Sequence, residues 1–267
     1  MTSVENVLQV SGLSKSFGGN HAVKDVHFDV GAGELLALIG PNGAGKTTCF
    51  NMLMGQLKPD AGTVKFEGKN LIGLPPRAIW RKGVGRTFQI TATYPSMTVV
   101  ENVQMAIISD RKRLFSFLPR ARDLYRQEAM ELLALVGMAQ QADRAAAILA
   151  YGDLKRLELS IALAHNPRLL LMDEPTAGMA PRERIALMQL TADIVAEKAI
   201  SVLFTEHDMD VVFAHAHRVM VLNRGELIAN GSVDEVRDNP HVREVYLGGG
   251  TVFADHGKEA GRGDANA

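Results

Sequence analysis

GPNGAGKTT, residues 40–48, decides the fold. It matches G-x-x-x-x-G-K-[S/T], a glycine-rich turn that aims backbone N–H groups and one lysine at phosphate oxygens. The flanks agree with this. LLALI at 35–39 reads as a buried strand, and the run 49–57 reads as a helix. Gly43 and Gly45 let the backbone curl so that successive N–H groups point inward, and the new helix adds its positive dipole end. Lys46 places a cation at the β- and γ-phosphates, and the Thr47 hydroxyl suits Mg²⁺. Gly40, Pro41, Asn42, Ala44 and Thr48 complete the candidate phosphate loop. The competing reading, a glycine-rich turn with an accidental lysine, is disfavoured by the strand before it and the helix after it.

A second stretch completes this chemistry. LLLMDEP, residues 169–175, is a short apolar run ending in two acids. Asp173 would sit at the carboxyl end of a parallel strand, where ligands of open α/β sheets bind, and is the candidate Mg²⁺ carboxylate. Glu174, one residue on, is placed to accept a proton from an attacking water. An acidic pair ending a strand is common by itself. Next to a phosphate loop it becomes the expected partner.

Around these motifs, strand-like runs at 7–10, 22–30, 63–67, 168–172, 200–205 and 218–223 alternate with turns and helices. Residues 99–165 read as helical, as does 182–198. A strand-helix-strand core interrupted by a block of helices is an α/β core with an inserted helical subdomain. The tail, 248–267, is glycine-rich and polar and is expected to fray.

Composition narrows the function classes. The chain has 267 residues, 46% of them hydrophobic, and a formal net charge of -1. That balance argues against nucleic acid as a partner, since duplex binders carry a basic excess. One cysteine, Cys49, cannot form an internal disulfide, which fits a reducing cytosol. The apolar runs are far shorter than the ~20 residues that span a bilayer, so any membrane role would be peripheral.

From about residue 8 to 247 the chain resembles the ATP-binding cassette (ABC) family. GPNGAGKTT and LLLMDEPTAG correspond to its Walker segments. Gln89 in GRTFQ matches the glutamine that reaches the metal and senses nucleotide. His207 in FTEHD matches the switch histidine on the γ-phosphate, and Phe17 in KSFGG the aromatic that stacks on adenine. Taken singly these would be a satisfied polar residue, a strand-end histidine and a core phenylalanine; their order and spacing favour the functional reading.

The resemblance implies an α/β P-loop cassette core with an antiparallel β subdomain and an inserted α-helical subdomain. One ABC ATPase domain would span 1–247, with its core at 1–95 and 166–235 and the helical part at 96–165. It implies ATP and Mg²⁺ as ligands, with Glu174, His207 and Lys46 catalytic and Thr47, Gln89 and Asp173 around the metal.

Two segments depart from the family pattern. The signature, usually LSGGQ, is LAYGD at 149–153, so Ala150 has no hydroxyl and Tyr151 replaces a glycine. Gly152 and the helix after it still offer backbone N–H groups and a dipole, to the nucleotide of a second cassette. Ala180 stands where the family places the D-loop aspartate that links the two ATP sites.

LAYGD, GVGRTFQ at 83–89, NRGELIANGS at 223–232 and the ending 239–248 resemble the ATPases of branched-chain amino acid importers. That subgroup implies a peripheral subunit on the cytoplasmic face of the inner membrane. Its partners would be two transmembrane permease subunits, a second cassette (a paralogue or a second copy) and, indirectly, a periplasmic solute-binding protein. A lipid or lipopolysaccharide exporter cassette and a non-transport ABC ATPase are the alternatives. The basic, aromatic run 110–126 reads either as a surface near membrane headgroups or as a solvated helix pair, the second being preferred.

Overall fold

The computed structural model describes residues 6–87, 93–111 and 124–247. Gln89, most of the basic run at 110–126 and the 248–267 tail therefore lie outside the described residues.

Two sheets form the scaffold. The smaller is antiparallel, in the order β2-β1-β4-β5, from β1 (Asn6–Phe17), β2 (Asn20–Gly31), β4 (Ala61–Phe66) and β5 (Lys69–Asn70). The larger runs β10-β9-β3-β8-β7-β6. Its strands are β3 (Leu35–Ile39), β6 (Val84–Thr87), β7 (Leu169–Asp173), β8 (Ser201–Thr205), β9 (Arg218–Asn223) and β10 (Glu226–Gly231). All neighbours in it pair in parallel except β10, which is antiparallel to β9.

The central strands are buried along their whole length and mostly apolar, because both faces of the larger sheet are covered, as parallel sheets require. Every residue of β3 is buried. Leu35, Ala37 and Ile39 pack into one core with most of the helices; Leu36 and Leu38 pack into a second with the antiparallel sheet. The same alternation holds in β7, where Leu170 and Met172 face the first core and Leu169 and Leu171 the second.

Helix α1 (Lys46–Leu53) follows β3 and contributes Phe50 and Leu53 to the second core. It begins at Lys46, three residues before the start read from the sequence, because the loop itself supplies the first helical turn. α2 (Pro76–Trp80) precedes β6. Between β6 and β7 lie α3 (Val99–Asp110), α4 (Arg126–Leu135) and α5 (Tyr151–Leu163). Thr98 and Glu101 cap α3 reciprocally: the Thr98 hydroxyl accepts from the Glu101 N–H at 3.3 Å, and the Glu101 carboxylate from the Thr98 N–H at 2.8 Å. α6 (Pro181–Lys198) and α7 (Met209–His215) flank β8, and α8 (Val233–Asp238) and α9 (Pro240–Leu247) close the described chain.

The sheets are fastened at the start of β9. The Arg218 guanidinium donates to both oxygens of Glu34, at 2.7 and 3.0 Å, and to the Asp29 carbonyl at 2.6 Å. Such forked, charge-assisted bonds fix orientation as well as distance. Ser201, wholly buried, adds a second fastening by donating to the Gly31 carbonyl at 2.8 Å and accepting from the Gly33 N–H at 3.0 Å.

Candidate nucleotide-binding site

The loop between β3 and α1 is shaped by close backbone approach. Gly40 adopts φ 154° and Gly45 φ 108°; a Cβ on the first would run into the Leu222 carbonyl, and on the second into the Ala22 carbonyl. Only glycine allows the loop to lie on β9 and β2 this closely. The turn after β9 seals it from below: the Gly225 N–H donates to the Ala44 carbonyl at 2.9 Å, and the Lys24 N–H to the Gly225 carbonyl at 2.8 Å.

Above this floor is a cavity of about 550 Å³. Asn42, Gly43, Ala44, Gly45, Lys46, Thr47 and Thr48 line it, together with Glu174, His207 and the segment from Gly19 to Ala22. Gly40 and Pro41 are behind the lining; their carbonyls accept the Lys46 ammonium at 2.6 and 3.2 Å. Burial pushes the Lys46 pKa below its ordinary value, while the charges of Glu174 and Asp173 pull it back up. Two carboxylates within reach of one buried ammonium favour a cation held ready for phosphate.

The end of β7 is organised by Thr205 on β8. Its hydroxyl donates to Asp173 Oδ1 at 2.8 Å and accepts from the Glu174 N–H at 3.0 Å. Asp173 is buried, and Arg86 approaches its other oxygen at 3.5 Å. Glu174 has φ 48°, a left-handed conformation that a non-glycine residue adopts only where its surroundings enforce it. Its carboxylate meets His207 Nε2 at 2.9 Å. Phe17 is half exposed at the end of β1, paired in register with Asn20 of the cavity wall, and the Lys15 ammonium is 5.5 Å from its ring centre.

Other expected residues stand elsewhere. Gly152, in the first turn of α5, is buried, and a Cβ there would meet the Glu183 carboxylate at 3.2 Å. No residue of 149–153 is among those lining the phosphate cavity. Ala180 is the N-cap of α6 without a side-chain acceptor; the Glu183 carboxylate takes its N–H at 3.4 Å.

Sequence reasoning missed several residues. His21, Lys24 and Arg224 line the cavity, and Glu206 and Thr176 brace it. Arg224 and Lys24 are placed by the Gly225 contacts, which join segments far apart in the chain. Glu206 carried a signal that was passed over: an acid at the buried end of an apolar strand, next to the histidine.

A glycine-rich loop between a buried parallel strand and a helix, with an acidic pair ending a strand two places away in the same sheet, defines a P-loop nucleotide-binding protein. The family model described as "ABC transporter" matches residues 23–177, and "Branched-chain amino acid ATP-binding cassette transporter" matches residues 226–251. The "High-affinity branched-chain amino acid transport ATP-binding protein LivG" of Salmonella typhimurium is 41% identical over 249 residues, covering 91% of this chain and 98% of that protein. BraF of Pseudomonas aeruginosa, of the same description, is 41% identical over 252 residues, with 91% and 98% covered. The ADP conformation of MJ1267, an ATP-binding cassette of an ABC transporter, superposes with a TM-score of 0.81 at 32% identity, covering 91% of this chain and 99% of that one. The chain belongs to the ABC transporter family.

Proposed function

We propose that the chain is the ATP-hydrolysing subunit of an ABC importer for branched-chain amino acids or closely related small solutes. The observation that carries the ATPase reading is the convergence of Lys46, Thr47, Glu174 and His207 on one cavity. The importer reading is supported by the C-terminal family match at 226–251 and by the relatives' descriptions. No helix among the described residues is long and apolar enough to cross a membrane. The translocation path would belong to two permease subunits, with this chain docked on their cytoplasmic side and a solute-binding protein delivering from the other.

In the cavity the triphosphate lies along the loop, its oxygens facing the N–H groups of residues 43–48 and the Lys46 ammonium. Glu174 takes a proton from the attacking water, and His207 leaves its carboxylate partner to hold the γ-phosphate. Phe17 stacks on the adenine. The residues that would hold Mg²⁺ are hard-oxygen donors: the Thr47 hydroxyl on the cavity wall, the Asp173 carboxylate, which does not line the cavity and is held by Thr205 and Arg86, and Gln89 as a third candidate. When bound, the ion neutralises charge on the β- and γ-phosphate oxygens. Gly152 and the N-terminus of α5 serve the nucleotide of a second cassette, which is either a paralogue or another copy.

Replacing Glu174 by Gln is expected to preserve ATP binding and slow hydrolysis at least about tenfold, a floor below the roughly 10²–10⁴-fold a general base typically contributes. Lys46→Ala should abolish binding or turnover. Phosphate release and isothermal titration measure both effects. Unchanged turnover in the first variant removes Glu174 as the base, and in the second removes the loop as the phosphate site. Competition uptake in a deletion strain identifies the solute.

A further inference from the structure

The strained conformation at Glu174 needs an enforcing environment, and Thr205 supplies only part of it. Thr205 holds the Glu174 N–H and Pro175 fixes its own φ, but the turn beyond Pro175 needs further holds. Two side chains from different elements do so. Glu206, buried after β8, accepts the Thr176 N–H at 2.9 Å and the Thr176 hydroxyl at 2.6 Å through one oxygen. Its other oxygen accepts the His207 N–H at 3.2 Å. From a separate element, the first turn of α5, the Tyr151 hydroxyl donates to the Ala177 carbonyl at 3.0 Å. The Tyr151 ring lies against Gly178, and the buried Lys155 ammonium sits 5.5 Å from the ring centre.

Neither contact is needed to hold the sheet together. Both grip the same short turn, closed internally by the Ala177 N–H on the Glu174 carbonyl at 3.1 Å. Tyr151 and Ala177 are both exposed, so losing this bond leaves no buried group unpaired.

We propose that Tyr151 and Glu206 are positioning residues that clamp residues 174–178 from two elements and so set the aim of the Glu174 carboxylate. The clamp rests on the reading of Glu174 as the base. It also ties the N-terminus of α5, next to Gly152, to the chain's own water-activating group. A second cassette's nucleotide pressing on that helix end is thereby felt at Glu174.

The test uses the full chain with MgATP, comparing wild type, Y151F, E206Q and E206A, each also in an E174Q background. Y151F removes one exposed hydroxyl and leaves the ring, so folding is not at risk. It is expected to lower kcat about threefold, as a small loss of aim does, with KM and ATP affinity within about twofold. E206Q keeps one acceptor oxygen and should lose less than E206A. In the E174Q background, with no carboxylate left to aim, Y151F should leave the residual rate within about 1.5-fold. Wild-type kcat in Y151F overturns the clamp, as does a loss in KM instead of kcat. So does an equal fold-loss of Y151F with and without Glu174, the mark of a merely structural role. Wild-type turnover in E174Q alone overturns the parent reading instead, and that comparison is independent of Tyr151.

Discussion

Cys49 lies three residues beyond Lys46, on the same short helix, yet on its inward side. It is 1% exposed and packs with Phe50 in the second core. Burial pushes its thiol pKa up to about 12. At pH 8 its thiolate fraction is therefore on the order of one in ten thousand, and thiolate is the reactive form. Iodoacetamide should leave the native chain unlabelled over an hour at that pH, while the urea-unfolded chain is labelled to completion. Rapid labelling of the native chain, followed by mass spectrometry, would show that the α1 face is not packed as described. Two side chains on one helix thus divide the work: Lys46 lines the cavity, and Cys49 anchors the helix that presents it.

Among the elements, the contact of α2 with the end of α5 gives the fold an acid sensitivity. Trp80 and His165 stack with ring centres 4.5 Å apart. Burial lowers the His165 pKa to about 4, against a smaller opposing pull from Asp110. The folded-state value lies below the ordinary 6.5, so protons bind the unfolded chain more tightly. Above pH 6.5 both states are neutral at this ring and nothing is lost; stability falls as the pH drops from 6.5 towards 4. At pH 5.5 the loss is about 1.4 kcal/mol by linkage. His165→Phe keeps a stacking ring without the proton site. Its urea-unfolding free energy should fall by about 1 kcal/mol less than wild type between pH 7.5 and 5.5. Equal pH slopes in the two chains would refute it.

The elements legible from sequence were those buried on both faces, since 35–39 is an unbroken apolar run and 169–173 is one up to its terminal Asp173. β6, with VGRT, and β10, with ELIANG, were not, because edge strands keep polar residues and lose the pattern. The helical stretch at 99–165 was legible in kind but not in its breaks, which among the described residues include Gly137 and two short 3-10 turns. The site divides along the same line. Residues 40–48 and 173–174 are local motifs, whereas Tyr151 meets Ala177 across 26 positions and Glu206 meets Thr176 across 30. Contacts of that separation exist only once the sheet has formed.

At the scale of the whole molecule, the two groups of residues proposed to hold ATP do not meet within one chain. The cavity of Lys46, Glu174 and His207 is lined by none of 149–153. The α5 helix end with Gly152 packs instead beside Glu183 on α6. A helix N-terminus stabilises anionic phosphate only when it points at it closely, since its field fades within about one turn. On the proposed reading the two parts are completed by a second cassette, so hydrolysis should depend on association. Specific activity per chain is expected to rise with chain concentration and to level off once pairs predominate. With MgATP the E174Q chain should elute as a dimer in gel filtration, because closure is no longer followed by turnover, and with MgADP as a monomer. Should the chain pair only with a paralogue, the same rise will follow titration of that cassette. Constant specific activity from a chain that stays monomeric with ATP would mean that one chain suffices. In that case Gly152 would have no phosphate to serve, and the tie from Tyr151 to Glu174 would carry no signal between chains.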